Sequence, residues 1–129
     1  MVCMTGTVTE SKELVTFLRE KVGDHLRSVL YYDDDARDLL YIRDDVADAY
    51  DERGRADVLR DMRLEAIEKA HQEDLYIHGS LDCTIRCFDD AVEMHFIHGE
   101  ACGTAVALDS EVFAVHNTFV GHCLDVMGQ

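Results

Sequence analysis

Between Cys83 and Met127 the chain alternates in side-chain character through three short runs and then shifts to a helical period, which limits what the rest can fold into. CTIRCF (83–88) and VEMHFI (92–97) predict two strands around an acidic turn at Asp89-Asp90-Ala91, and GTAVAL (103–108) predicts a third. Cys83, Ile85 and Cys87 share one face of the first, and Val92, Met94 and Phe96 one face of the second. GTAVAL is apolar on both faces and small on one, where Ala105 and Ala107 alternate with Val106 and Leu108, the pattern of a strand that lies under a helix or in mid-sheet. Asp109 reads as the N-cap of a helix reaching about Met127. Its Val112, Val115, Phe119, Cys123 and Val126 form a stripe apolar enough to predict burial of most of the circumference.

Upstream, Thr7-Val-Thr-Glu10 has the form of a capping box, and Leu14, Phe17, Leu18 and Val22 supply a helical stripe that Gly23 ends. Leu26–Tyr32 and Leu39–Arg43 predict a hairpin whose acidic loop spans Asp33 to Arg37. A helical region begins at Asp44-Asp45 and runs to about Glu73 with a break at Gly54, its moderate apolar face carried by Val58, Leu59, Met62, Ala66, Ile67 and Ala70. The expected architecture is one α+β domain, residues 1–129, of order α-β-β-α-β-β-β-α: a five-stranded antiparallel sheet with helices to either side.

A chain of 129 residues can bury a single core without staples. Its net charge of -15, from 27 acids against 12 bases, repels phosphates and anionic lipid, so no nucleic-acid or membrane partner is expected. The bases include only three lysines (Lys12, Lys21, Lys69) and the acids are spread through every segment, the surface of a protein kept soluble at very high salt. Met-Val-Cys-Met-Thr-Gly has no signal-peptide character and no apolar run approaches 18 residues, which predicts a cytoplasmic location. Five cysteines without framework spacing predict thiols rather than bridges, with Cys87 and Cys123 in the core and Cys3 and Cys102 accessible.

The runs Leu26–Asp45, Leu64–Phe88 and Gly103–Leu124 resemble an uncharacterised family of small acidic proteins from halophilic archaea, over nearly the whole chain. Separately, the element order resembles that of roadblock/profilin-like domains. That resemblance implies pairing through a sheet edge beside the central helix, and a role as scaffold or regulator of a protein partner.

Candidate sites are sparse. His78, His98 and Cys102 are the one set of metal-ligating types that a turn could bring together, whereas Cys83 and Cys87 stand roughly 13 Å apart along a strand. Neither a metal nor another cofactor is expected. The acidic pairs and triplet at Asp33–Asp35, Asp44-Asp45 and Asp89-Asp90 read as turn residues and a solvated face, and no nucleophile or phosphate-loop signature is present, so no catalysis is expected. Tyr31 and Tyr32 are adjacent on a strand and face opposite ways, and Arg43 and Arg86 are placed to pair with acids across the sheet. Tyr50, Val58, Met62 and Ile67 on the central helix are the expected interface. These features predict a protein-binding regulatory or scaffold module, homodimeric. The first alternative is a small-molecule sensor of GAF or PAS type, requiring a hollow between sheet and helices; the second is a metal- or thiol-dependent enzyme.

Uncompensated acids repel one another most strongly where salt is scarce. The melting temperature is expected to rise steeply from dilute buffer to molar KCl; a flat curve in a salt-series calorimetry experiment would contradict the halophilic reading.

Overall fold

The structure is a computed structural model that describes residues 8–34, 36–112 and 118–129; the capping-box residue Thr7, Cys3 and Val115 lie outside these. The first helix, α1 (Val8–Val22), turns Leu14, Val15, Leu18 and Val22 onto the sheet but leaves Phe17 of the expected stripe exposed, and ends in one 3-10 turn at Gly23–His25, where Gly23 takes a φ of +57°. The strands are β1 (Leu26–Asp33), β2 (Ala36–Ile42), β3 (Cys83–Cys87), β4 (Ala91–Gly99) and β5 (Cys102–Asp109). Between β2 and β3 lie α2 (Asp44–Ala49), α3 (Glu52–Ile67) and α4 (Lys69–Tyr76), and α5 (Phe119–Val126) closes the chain.

The fold class is α+β, with one open sheet in the order β2-β1-β5-β4-β3, every neighbouring pair antiparallel. That order is compatible with the roadblock/profilin-like layout. Seven of the eight residues of β5 are buried, as suits a strand with neighbours on both sides and helices over both faces. Register assigns the faces. Val29 pairs with Val106 and Leu26 with Leu108, and these four join Leu18 of α1 in the core, flanked by Leu14, Val15 and Val22. Leu30 pairs with Ala105 and Ser28 with Ala107 on the opposite face, which looks toward α2 and α3.

Several expectations are corrected. The hairpin loop is two residues rather than five, because the ladder continues to Asp33 opposite Ala36 and Asp34 takes a φ of +55°. The helical region breaks at Tyr50-Asp51, not Gly54, since Asp51 caps α3 by accepting the Gly54 N–H at 2.7 Å. Cys87 and Ile85 are exposed, because β3 is an edge strand and no helix among the described residues covers that end of the face.

The largest correction concerns the C-terminal helix. Asp109 is not its N-cap but the last residue of β5, opposite Ala91, and α5 starts ten residues later under a Thr118 cap that accepts the Gly121 N–H at 3.0 Å. Phe119, Val126 and Met127 are 83%, 87% and 72% exposed and Cys123 is exposed, so the apolar stripe of this helix lies outside the core.

Asp109 instead ties three segments together. The Arg43 guanidinium donates to both its oxygens at 2.8 and 3.0 Å, Arg27 donates at 3.2 Å, and His25 Nδ1 stands 3.2 Å away. The Arg43 bond, with help from His25 and Arg27 against the effect of burial, holds the Asp109 carboxyl at about 2. Its stabilisation is therefore present above the usual 3.8 and is lost as pH falls through about 2. Asp109→Asn is expected to cost about 1–2 kcal/mol at pH 7 in urea unfolding, with the gap to wild type closing between about pH 4 and pH 2.

Candidate functional site

The small residues of β5 decide where space remains. Ala105 and Ala107, with Ala91 of β4 and Ser28 of β1, leave room between the sheet and the helices over it, and a hollow opens there. One lobe, about 630 Å³, runs between α3 and the β3–β4 end of the sheet, with Tyr50, Val58, Met62, Arg86, Phe88 and Glu93 in its wall. The second, about 340 Å³, lies under α2 and is lined mainly by Leu30, Ile42, Val46, Leu59 and Met62. Arg27, Tyr50, Val58, Met62, Ala91, Glu93 and Ala105 line both lobes, which therefore adjoin.

A buried polar strut holds α3 at one end of the hollow. The Tyr32 hydroxyl lies 2.7 Å from His95 Nε2 and 3.3 Å from the Met62 carbonyl, and His95 Nδ1 lies 2.7 Å from Glu65 Oε1. Glu65 also accepts from the Thr84 hydroxyl and from Arg86, whose other nitrogen donates to Asp61 at 2.7 Å. With Nδ1–H donating to the carboxylate, Nε2 is the acceptor for tyrosine. Burial pushes His95 below its usual value against the pull of Glu65, so it is neutral at pH 7. Burial works to raise Glu65, yet the bonds from Thr84 and His95 and the charge of Arg86 keep it below the usual carboxylate range. The arrangement depends on Gly103, where a Cβ would stand 2.8 Å from His95 Nε2, the Phe96 carbonyl and the Tyr32 hydroxyl. Tyr32 is fully buried and burial raises its phenol, so this Tyr-His-Glu series fastens helix to sheet and offers no accessible nucleophile.

Glu93 differs from every carboxylate of the strut. It sits on β4 opposite Ala107 and Arg86, faces both lobes, and makes no side-chain hydrogen bond with the described residues. Burial pushes its carboxyl up to about 7, against the pull of Arg27 and Arg86. Those two cations are engaged elsewhere, with Asp109 and with Asp61 and Glu65.

The expected site residues fall as follows. Tyr50, Val58 and Met62 line the hollow, while Ile67 is 62% exposed near the far end of α3. His78, His98 and Cys102 are not brought together: His78 stacks on Tyr76 in the exposed segment after α4, and His98 Nε2 lies 2.8 Å from Thr104 Oγ1. Cys102 is buried and disulfide-bonded, which overturns its expected role as an accessible thiol and removes it as a thiolate ligand. Among the described residues the group whose ligand atoms do converge is His25, Asp109 and Glu111, within 4.8 Å, with Asp109 already saturated by arginines. Arg43 pairs with Asp109 of β5 across the sheet as expected, whereas Arg86 pairs with Asp61 and Glu65 of α3 and not with an acid of a neighbouring strand. Glu65, Glu93 and His95 were not anticipated as a group. Their signal was present in polar residues at alternate positions of β4 beside the small stripe of β5, a combination that leaves polar side chains facing unfilled space.

The model of the family described as "Domain of unknown function (DUF7522)" matches residues 12–128. No curated protein and no solved structure matches the chain. Among the described residues, no helix is long and apolar enough to cross a membrane.

Glu93 carries a pH signature. Its folded value of about 7 exceeds the ordinary 4.5, so the native state is favoured while the group is protonated, and that advantage is lost as pH rises through 7. Above pH 7 the ionised carboxyl costs about 3 kcal/mol relative to its protonated form. Glu93→Gln is expected to unfold at higher temperature than wild type at pH 8 and at nearly the same temperature at pH 4; equal differences at both would contradict this.

Proposed function

The chain belongs to the DUF7522 family, and from that premise and the hollow we propose that it is a small-molecule sensor module, of the general GAF or PAS kind, of a halophilic cytoplasm. The observation that carries this is the hollow itself. Its main lobe of about 630 Å³ falls within the range of ligand sites, and its lining combines apolar side chains (Tyr50, Val58, Met62, Phe88, Met94) with charged and polar groups converging from different strands and a helix. Because α3 is anchored at the strut and spaced from the sheet beyond it, a ligand would bridge helix and sheet. Binding there would favour one position of α3, which is the physical requirement of a sensor.

A second reading is favoured by a different observation. Leu64, Ile67, Leu75, Tyr76 and Ile77 of α3, α4 and the residue after them are exposed, and Ile77 holds a φ of +48°, unusual for a β-branched side chain. The open edge β3 lies on the same side of the sheet order as β4, which α3 overlies. Such a surface suits the protein-binding scaffold and homodimer that a roadblock-like arrangement implies.

Thermal-shift screening against nucleotides and metabolites in molar KCl tests the first reading. At a hundredfold excess over Kd a ligand stabilises by about 2.7 kcal/mol. At least one compound is expected to raise the melting temperature, and Val58→Trp, which fills the wall shared by both lobes, is expected to abolish the shift. A screen without such a compound, with light scattering showing two chains that Ile67→Asp reduces to one, would move the assignment to the second reading.

A further inference from the structure

We propose that the hollow takes a small organic cation, an amine on a compact apolar or aromatic body, with its ammonium group on the Glu93 carboxylate and its body in the lobe under α2. This rests on the reading of the hollow as a ligand site and names what that site selects.

The charges of the wall point one way. Arg86 is committed to Asp61 and Glu65, and Arg27 to Asp109. Arg55 donates to the Ala47 carbonyl at 3.0 Å, and Arg37 stands exposed on β2. No cation of the wall closes on Glu93, whose carboxyl faces both lobes without a hydrogen bond from the described residues. An anionic ligand would meet that carboxylate and find Arg27 and Arg86, the guanidinium groups that act on it, committed to other acids. A neutral ligand would leave it either ionised without a partner or protonated. An ammonium supplies donors and charge together, and within this half-buried space a charge-assisted bond is stronger than a neutral one.

Shape gives the rest of the ligand. From Glu93 the second lobe extends between Leu30, Ile42, Val46, Leu59 and Met62, a surface for an apolar body of modest size in about 340 Å³. Tyr50 and Phe88 line the main lobe, and aromatic rings there favour a cation on its way to the carboxylate. Ala91 and Ala105 flank Glu93 and leave the approach open.

Three probes of nearly equal size separate the possibilities: benzylammonium, benzyl alcohol and benzoate, titrated at pH 8 in molar KCl while amide NMR shifts of Ala91, Glu93 and Ala105 are followed. Benzylammonium is expected to bind at least about tenfold more tightly than benzyl alcohol, with benzoate weakest. Glu93→Gln is expected to bring the ammonium to within about threefold of the alcohol, and Glu93→Asp, which keeps the charge, to retain part of the preference. If the alcohol or benzoate binds as tightly as the ammonium, the cation is the wrong class while the hollow stands as a ligand site. If none of the three moves these amides, the ligand-site reading falls and the cation with it.

Discussion

The fold's distinctive feature depends on one close contact, the passage of Tyr32 and His95 over Gly103. A side chain there would collide with the two groups whose hydrogen bond joins β1 to β4 across β5, and through Glu65 to α3. Removing that contact would detach the helix from its anchor, because the neighbouring residues on the same face, Ala105 and Ala107, are too small to reach it. The helix is thus fastened by polar atoms at one end and held by looser apolar contacts beyond. A large residue at 105 or 107 would turn this layer into an ordinary packed core. The small stripe converts it into a space with walls.

Carboxylates of one chain are driven in opposite directions by the company they keep. Asp109 collects Arg43, Arg27 and His25 and is held at about 2, and Glu65 stays low because hydrogen bonds and Arg86 outweigh its burial. Glu93 is close enough to Arg27 and Arg86 to be drawn down by both, yet their guanidinium groups point to other acids, and burial prevails at about 7. In a chain with 27 acids and 12 bases, paired cations are scarce. Arginines committed to ion pairs elsewhere leave a carboxyl facing the hollow without one.

How much could be read beforehand follows from the range of the interactions involved. The five strands and their antiparallel pairing were legible from alternation and turn residues, and the burial of β5 because GTAVAL is apolar on both faces; the strand order that puts β5 in mid-sheet was not. The ion-pairing of Arg43 across the sheet was legible from position, while the reach of Arg86 to α3 was not. The end of β5 was not: Asp109 resembles an N-cap locally, and only the distant Arg27 and Arg43 make it a strand end. Cys87 followed the alternation of its strand but lies at a sheet edge, a fact set by strand order rather than by period. The stripe of α5 has a helical period, and period says nothing about what covers it. The hollow was the least legible feature, since it needs the register of β4 against β5 to set Glu93 and His95 opposite Ala107 and Ala105.

The same elements connect the two functional readings physically. Arg86 and Thr84 belong to β3, the free edge of the sheet, and both reach the carboxylate of Glu65 on α3. Any chain that added a strand to that edge would fix the backbone from which these side chains project, and would thereby bear on the strut and the position of α3. A ligand at Glu93, directly opposite Arg86 in the β3–β4 register, would act on the same guanidinium from inside the hollow. Coupling between hollow and edge therefore needs no long pathway. It would pass through Arg86, one side chain that faces the hollow from a strand whose other edge pairs with no strand among the described residues.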